Sequence, residues 1–251
     1  MTSRAAAASR LAERRGNDGW VFPDLVVEVS GPLACFTRPE LKVERVSYPV
    51  MSPSAAVGLL ETIFWKPEFA YVVRAIEVLA PIEWMSVRRN EVKSVISPGE
   101  VAALRKDPQR RYDVETDRDQ RNSMLLRDVH YRIRTQVVLT QRGSGERVEK
   151  YREQLRRRVD KGACFAQPFL GCREFSASFG PQTDAVPIDR DEELGVMLHS
   201  IVYPDSGGEK YRWFRAQLRR GILKVPLKPL GVNEVAMPAS SAWRADGTQA
   251  G

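Results

Sequence analysis

An α+β fold is predicted, a ferredoxin-like sandwich followed by a small antiparallel sheet, and three observations lead to it. Short β-branched runs flank a capped helix early in the chain, a period-two strand and a charged helix follow, and three further strand patterns close the sequence. Leu25 to Val29 is the first β-branched run. Ser52 suits an N-cap and Pro53 the first helical position, so a helix is expected from Pro53 to about Trp65, ended by Lys66-Pro67. Ala70 to Ile82 is the second strand pattern. Ser86 to Ile96 reads as a strand leading into a charged, Pro-containing stretch, Ser97 to Asp119, expected as a mobile tip. From Arg127 to Thr140, Val129, Tyr131 and Ile133 alternate with His130, Arg132 and Arg134, which marks a strand with its basic side chains on one face. Gly143 to Gly145 breaks it, and Glu146 to Lys161 follows as a helix stopped by Gly162. Leu194 to Tyr203, Tyr211 to Leu218 and Ile222 to Val225 are the closing strands, the last two joined by a tight turn at Arg220-Gly221. The expected organisation is a disordered tail over 1–20, an α/β domain over 21–190, a C-terminal antiparallel sheet over 191–231 and a disordered tail over 232–251.

The chain has 251 residues, enough to bury a substantial core. No apolar run approaches a membrane span, and the Ala- and Arg-rich start lacks the apolar segment of a secretory signal. Cys35, Cys164 and Cys172 show no CxxC spacing, so reduced thiols, a cytoplasmic setting and no structural zinc are expected. The formal net charge of +7 points to a polyanionic partner. Seven cations against the single acid Glu209 fall between Glu209 and Lys228, a candidate phosphate-tracking face whose Tyr211, Trp213 and Phe214 either stack on bases or enter the core.

The segment FTRPELKVERVSYPVMSPSAAVGLLETIFWKP, Phe36 to Pro67, places Tyr48 just before a positive helix end, with Arg38, Lys42 and Arg45 on the approach. It reads as an RNA-handling site, or else as a core tyrosine beside solvated cations. Cutting RNA without a metal requires a base for the ribose 2′-hydroxyl, an acid for the leaving 5′-oxygen and cations for the phosphorane. Tyr48 is the candidate base or orienting hydroxyl, His130 the candidate acid or base, and Arg127 or Lys150 the charge stabiliser. His130 between Arg132 and Arg134 faces RNA or is an ordinary histidine on a solvated sheet. The chain has only two histidines and no HxxxH or GxSxG motif, which disfavours metal catalysis and Ser–His–Asp hydrolysis. His199, in LGVMLHSI, suits a core position. Arg173 and Glu174 serve RNA binding or form a structural ion pair.

Four separated blocks, the Phe36 segment, WMSVRRNEVK from Trp84, QRNSMLLRDVHY from Gln120 and FAQPFLGCREFSASF from Phe165, resemble the CRISPR-associated Cas-five family in its subtype I-C (Dvulg, variant d) branch. The resemblance runs from about Leu25 to about Pro226. It implies an RRM-like, RAMP-type fold with an inserted β-hairpin, to which Ser86–Asp119 corresponds. It also implies a metal-independent endoribonuclease that cuts the repeat of precursor CRISPR RNA and keeps the 5′ handle as a subunit of the Cascade complex, beside backbone and large subunits. A non-catalytic scaffold capping the handle is the alternative, and double-stranded DNA is a further partner that some branch members bind loosely. The family's tyrosine carries over to Tyr48. Its Lys-His neighbours do not, and the nearest equivalents are Arg127 with His130, or Lys150 with Tyr151; an arginine keeps the charge but is a poor proton donor. The RNA-binding candidates are Arg38, Lys42, Arg45, Arg88, Arg89, Arg121, Arg132, Arg134 and Arg173, with no metal and no cofactor.

Overall fold

The computed structural model describes residues 20–41, 44–113, 115, 117–204 and 207–231. The two expected tails and Lys42 lie outside the described residues, apart from Trp20. The strands are β1 (Leu25–Ala34), β2 (Phe69–Val78), β3 (Glu83–Val92), β4 (Arg118–Leu139), β5 (Ser178–Gly180), β6 (Glu192–Val202), β7 (Lys210–Arg219) and β8 (Ile222–Lys224). The helices are α1 (Pro53–Ile63), α2 (Pro98–Lys106) and α3 (Val148–Asp160). The fold is mixed α/β and dominated by one antiparallel sheet in the order β5-β1-β4-β2-β8-β7-β6, with β3 paired to β4 off that path.

β4 explains both the sheet and its projection. Its 22 residues outrun either neighbour. The half from Leu126 onward lies between β1 and β2, whereas Arg118 to Arg127 pairs with β3 as a hairpin. Ser97 caps α2 by accepting from Glu100 N at 3.1 Å, and Pro98 starts it. The tip expected to be irregular therefore contains a helix. That helix buries none of its residues, so no apolar stripe announced it in the sequence.

α1 begins as expected, with Ser52 Oγ accepting from Ala55 N at 3.2 Å. It buries Pro53, Ala56, Leu59, Leu60 and Ile63, a three- and four-residue spacing that forms one stripe. Each of its leucines and Ile63 contributes about 1.5–3 kcal/mol by leaving water. α3 buries Tyr151, Leu155 and Val159 against the same core, where Tyr151 packs on Phe69 at 5.0 Å between centroids. The segment 191–231, expected as a separate small sheet, forms the far end of the same sheet, because β8 pairs with β2. Arg220 (φ 47°) and Gly221 (φ 72°) both occupy the left-handed region in the β7–β8 turn, as a two-residue type I′ connection requires.

Candidate nucleic-acid interface

β1 ends at Ala34, and the chain folds back on itself through Phe36–Tyr48. Thr37 bridges Ser47, Tyr48 N donates to Phe36 O at 2.9 Å, and Ser47 Oγ accepts from Phe36 N at 2.9 Å while donating to Tyr48 O at 2.7 Å. Val46 then bridges Met124 of β4, which brings Arg45 to the root of the hairpin. Gly171 lies against the start of this loop. It sits at φ +84°, and a Cβ there would lie 2.0 Å from Cys35 O, so glycine is required on two counts.

Arg45, Arg89 and Arg121 are thereby drawn to one notch, with Arg38 and Tyr48 on the loop that borders it and Arg173 next to Glu174 in the chain. Glu174 binds Arg89 at 2.6 Å and Arg45 at 3.6 Å; Glu91 holds Arg45 at 3.6 Å and Arg121 at 3.5 Å. Its own backbone amide and Arg89 hold the Glu174 carboxyl below the usual range against the opposing effect of burial. The partner of Glu174 is thus Arg89 together with Arg45, and not its neighbour Arg173. Arg173 is exposed and has no ion-pair partner among the described residues. Arg88 is also exposed, but strand alternation places it on the other face of the hairpin from Arg89.

Tyr48 is 1% exposed, with the Arg38 guanidinium 5.0 Å from its ring centroid. Burial raises its pKa well above the ordinary tyrosine value, and nearby Glu40 adds to the rise. A phenol held neutral in this way is a hydrogen-bond donor and a poor base, which removes the base role expected for Tyr48. Its hydroxyl is buried without a hydrogen bond of normal geometry; the Leu198 backbone approaches it. The helix end behind it is no anion site. Ser52 and Pro53 are buried, Pro53 has no N–H, and Ser52 already takes Ala55 N.

His130 lies elsewhere. Alternation along β4 sends Tyr131 into the core that holds Tyr48, and His130 to the opposite face. There its Nε2 meets Glu28 Oε2 at 3.2 Å. Arg132 and Arg134 share that face as expected, but Arg132 is 4% exposed. Its guanidinium donates to Glu28 Oε1 at 2.5 and 2.8 Å, Glu77 Oε2 at 2.8 Å, Thr183 O at 3.0 Å and Ala185 O at 2.7 Å. With four of its five N–H groups engaged and the side chain buried, Arg132 is held as a structural residue. Arg134 is half-buried on the second oxygen of Glu77. Burial pushes the Glu28 carboxyl up, yet the Thr183 amide, Arg132 and the Thr183 hydroxyl outweigh it and leave its pKa lowered.

The remaining candidates are dispersed. Arg127 pairs with Glu83 at 2.5 Å on the exposed side of the hairpin root. Lys150 pairs with Glu146 on α3 and lies over the Tyr151 ring at 4.8 Å, beside Phe22 and Pro23. Among the described residues no hydrogen bond or ion pair joins Tyr48, His130, Arg127 and Lys150 to one another. His199 donates to or accepts from its neighbours in a structural setting, with Nε2 on Pro226 O at 2.9 Å and its ring against Phe214. Of the aromatics on β7, Phe214 is in the core and Trp213 and Tyr211 are half-buried. No group of three His, Cys, Asp or Glu side chains gathers as a metal site among the described residues. No described helix is long and apolar enough to cross a membrane. Glu28, Glu77 and Glu91 are what the sequence reading missed, whereas Glu174 was singled out but with Arg173 as its partner. For Glu28 and Glu77 a signal existed: each is the lone carboxylate of a largely apolar strand, which demands a cation when buried.

The family model described as CRISPR-associated protein (Cas_Cas5) matches residues 24–246. The chain belongs to this Cas5 family. Two curated relatives are both named "CRISPR pre-crRNA endoribonuclease Cas5d". The chain is 43% identical to the one from Mannheimia succiniciproducens over 212 residues, covering 80% of this chain and 93% of the relative. It is 40% identical to that from Thermus thermophilus over 220 residues, covering 80% and 91%. Among solved structures, one titled "Crystal Structure of CRISPR-associated Protein" superposes with a TM-score of 0.58 at 22% identity, over 81% of this chain and 91% of that one. That likeness concerns the fold, and it agrees with the RAMP-type expectation at that level. The Cas5 sequence blocks fall on the notch loop, on both strands of the hairpin and on the Gly171 turn, which the fold brings together.

Proposed function

We propose that this chain is a metal-independent endoribonuclease that cuts repeat hairpins in precursor CRISPR RNA and retains the 5′ handle as a Cascade subunit. The observation that carries this reading is its match, over more than nine-tenths of their length, to two relatives named as pre-crRNA endoribonucleases. The strands β5-β1-β4-β2, with α1 and α3 against their common core, form a ferredoxin-like unit in this reading, and β3 with α2 is its inserted hairpin.

The proposed site is the notch. A phosphate that takes Arg38 and Arg173 as partners lies beside Tyr48, whose buried, neutral hydroxyl carries a proton and has no hydrogen bond of normal geometry among the described residues. The 2′-hydroxyl attacks the adjacent phosphorus, the 5′-oxygen departs with a proton, and the products are a 2′,3′-cyclic phosphate and a 5′-hydroxyl. Tyr48 and the arginines stabilise the charge that develops on the phosphorane. Arg45, Arg89 and Arg121 shape the notch through their carboxylate partners. A second placement of the chemistry is favoured by the hydrogen-bonded His130–Glu28 pair, in which the histidine side chain is 32% exposed. Because the two places lie on opposite faces, only one of them handles the scissile phosphate.

The test is a gel assay of the purified chain with labelled repeat RNA in excess EDTA. One discrete cut is the expected result. Tight binding of intact RNA makes the chain a handle-capping scaffold instead. Salt-sensitive binding to RNA and double-stranded DNA alike, with no preference for the repeat, makes it a general nucleic-acid binder.

A further inference from the structure

Cys35 and Cys172 are 137 residues apart in sequence, yet the fold sets them against each other at the edge of the notch. Cys35 N donates to Leu170 O at 3.0 Å, and the Gly171 backbone lies so close to Cys35 O that a Cβ would meet it at 2.0 Å. Cys172 Sγ donates to Cys35 O at 3.8 Å, and the two side chains are close enough to shift each other's ionisation. Arg45 Nη1 stands 3.9 Å from Cys172 Sγ. Cys35 is buried and Cys172 partly exposed, so a reagent from solvent meets Cys172 first.

We propose that Cys172 is a modification site that reacts with small-molecule disulfides and passes the oxidation to Cys35, closing a disulfide between the end of β1 and the Gly171 turn. The Cys172 thiolate attacks one sulfur of the reagent, forming a mixed disulfide and releasing one thiolate. Cys35 then loses its proton, attacks Cys172 Sγ and expels the second thiolate. Two protein thiols are oxidised, and one disulfide is reduced to two small thiols. The charged groups facing Cys172 set which sulfur reacts. The Cys35 side chain and the charge of Arg45 favour the thiolate, burial and Glu174 oppose it, and the net effect is a lowered pKa. Cys35 is pushed the opposite way by Cys172 and by burial, which makes it the resolving thiol. Arg89, which binds Glu174, completes the surround. Thr37 Oγ1, 3.4 Å from Cys35 Sγ, supplies a polar neighbour on the buried side.

The experiment treats the folded full-length chain with oxidised glutathione, quenches it in acid, alkylates it and maps its peptides. A Cys35–Cys172 crosslinked peptide is expected, absent from Cys172→Ser, with exposed Cys164 carrying glutathione or remaining free. On the unaltered chain, the pH midpoint for iodoacetamide alkylation of Cys172 is expected at least about one unit below the ordinary cysteine value of about 8.5. Absence of the crosslink from folded chain whose Cys164 has reacted overturns the proposal. A Cys172 midpoint at or above the ordinary cysteine value overturns it as well.

Discussion

Replacing Tyr48 by phenylalanine separates a structural tyrosine from a working one. The ring and its stacking under Arg38 are kept, and only the oxygen is lost. In the fold that oxygen is buried without a hydrogen bond of normal geometry among the described residues, and a buried unsatisfied polar group costs about 1–3 kcal/mol. Its removal leaves stability unchanged or raises it, and for a chain of this size about 1 kcal/mol shifts the melting temperature by roughly 2–4 °C. In the proposed mechanism the hydroxyl donates to developing charge, so its loss is expected to slow cleavage at least about tenfold, equivalent to about 1.4 kcal/mol. Thermal melting and single-turnover cleavage of repeat RNA, run on one preparation, read both effects. Cleavage within about twofold of the unaltered chain refutes the role of the hydroxyl. A melting temperature lowered by more than about 5 °C refutes the statement that it is unpaired.

Other perturbations probe the frame around it. Glu28→Gln leaves the buried Arg132 with half its neutralising charge and is expected to destabilise the fold by about 3–5 kcal/mol in chemical denaturation. Because the folded pKa of Glu28 is lowered, its contribution is present above the ordinary glutamate value near 4.3 and disappears as pH falls further; the variant's stability curve should lack that acid limb. Gly171→Ala forces φ +84° on an alanine and a contact of 2.0 Å with Cys35 O, so a melting temperature several degrees lower is expected, with unaltered melting contradicting the close approach. Arg173→Ala should weaken RNA binding while reducing the slope of log affinity against log salt by about 0.7, the signature of one lost phosphate contact to a single strand. An unchanged slope would place Arg173 off the RNA path.

The elements legible in the sequence were those with local chemistry. The Ser52-Pro53 cap fixed the start of α1 at the expected residue, and the alternation from Val129 to Ile133 identified the central part of β4. β4 begins nine residues earlier than Arg127, where Arg118 to Asn122 is polar on both faces because only a hairpin partner covers it. β5 escaped notice because it is three residues long and is held by pairing with β1 alone. The candidate site was legible as a set of residue types and illegible as a geometry. Period two placed His130, Arg132 and Arg134 on one face but could not show that the face is lined by Glu28 and Glu77 and closed by Thr183 and Ala185. The same alternation, followed one residue further to Tyr131, separates His130 from the core that contains Tyr48. The notch itself depends on residues far apart in sequence, Arg45, Arg89, Arg121 and Glu174, and is held by pairings that no local pattern announces.

The central claim is metal-free attack by a ribose hydroxyl, and the most direct measurement compares two labelled repeat RNAs in excess EDTA, one all-ribose and one carrying a single 2′-deoxy group at the scissile position. The account predicts one cut in the first, with a 2′,3′-cyclic phosphate on the upstream fragment by mass, and none in the second. Cutting of the deoxy substrate, or activity that EDTA abolishes, would contradict it.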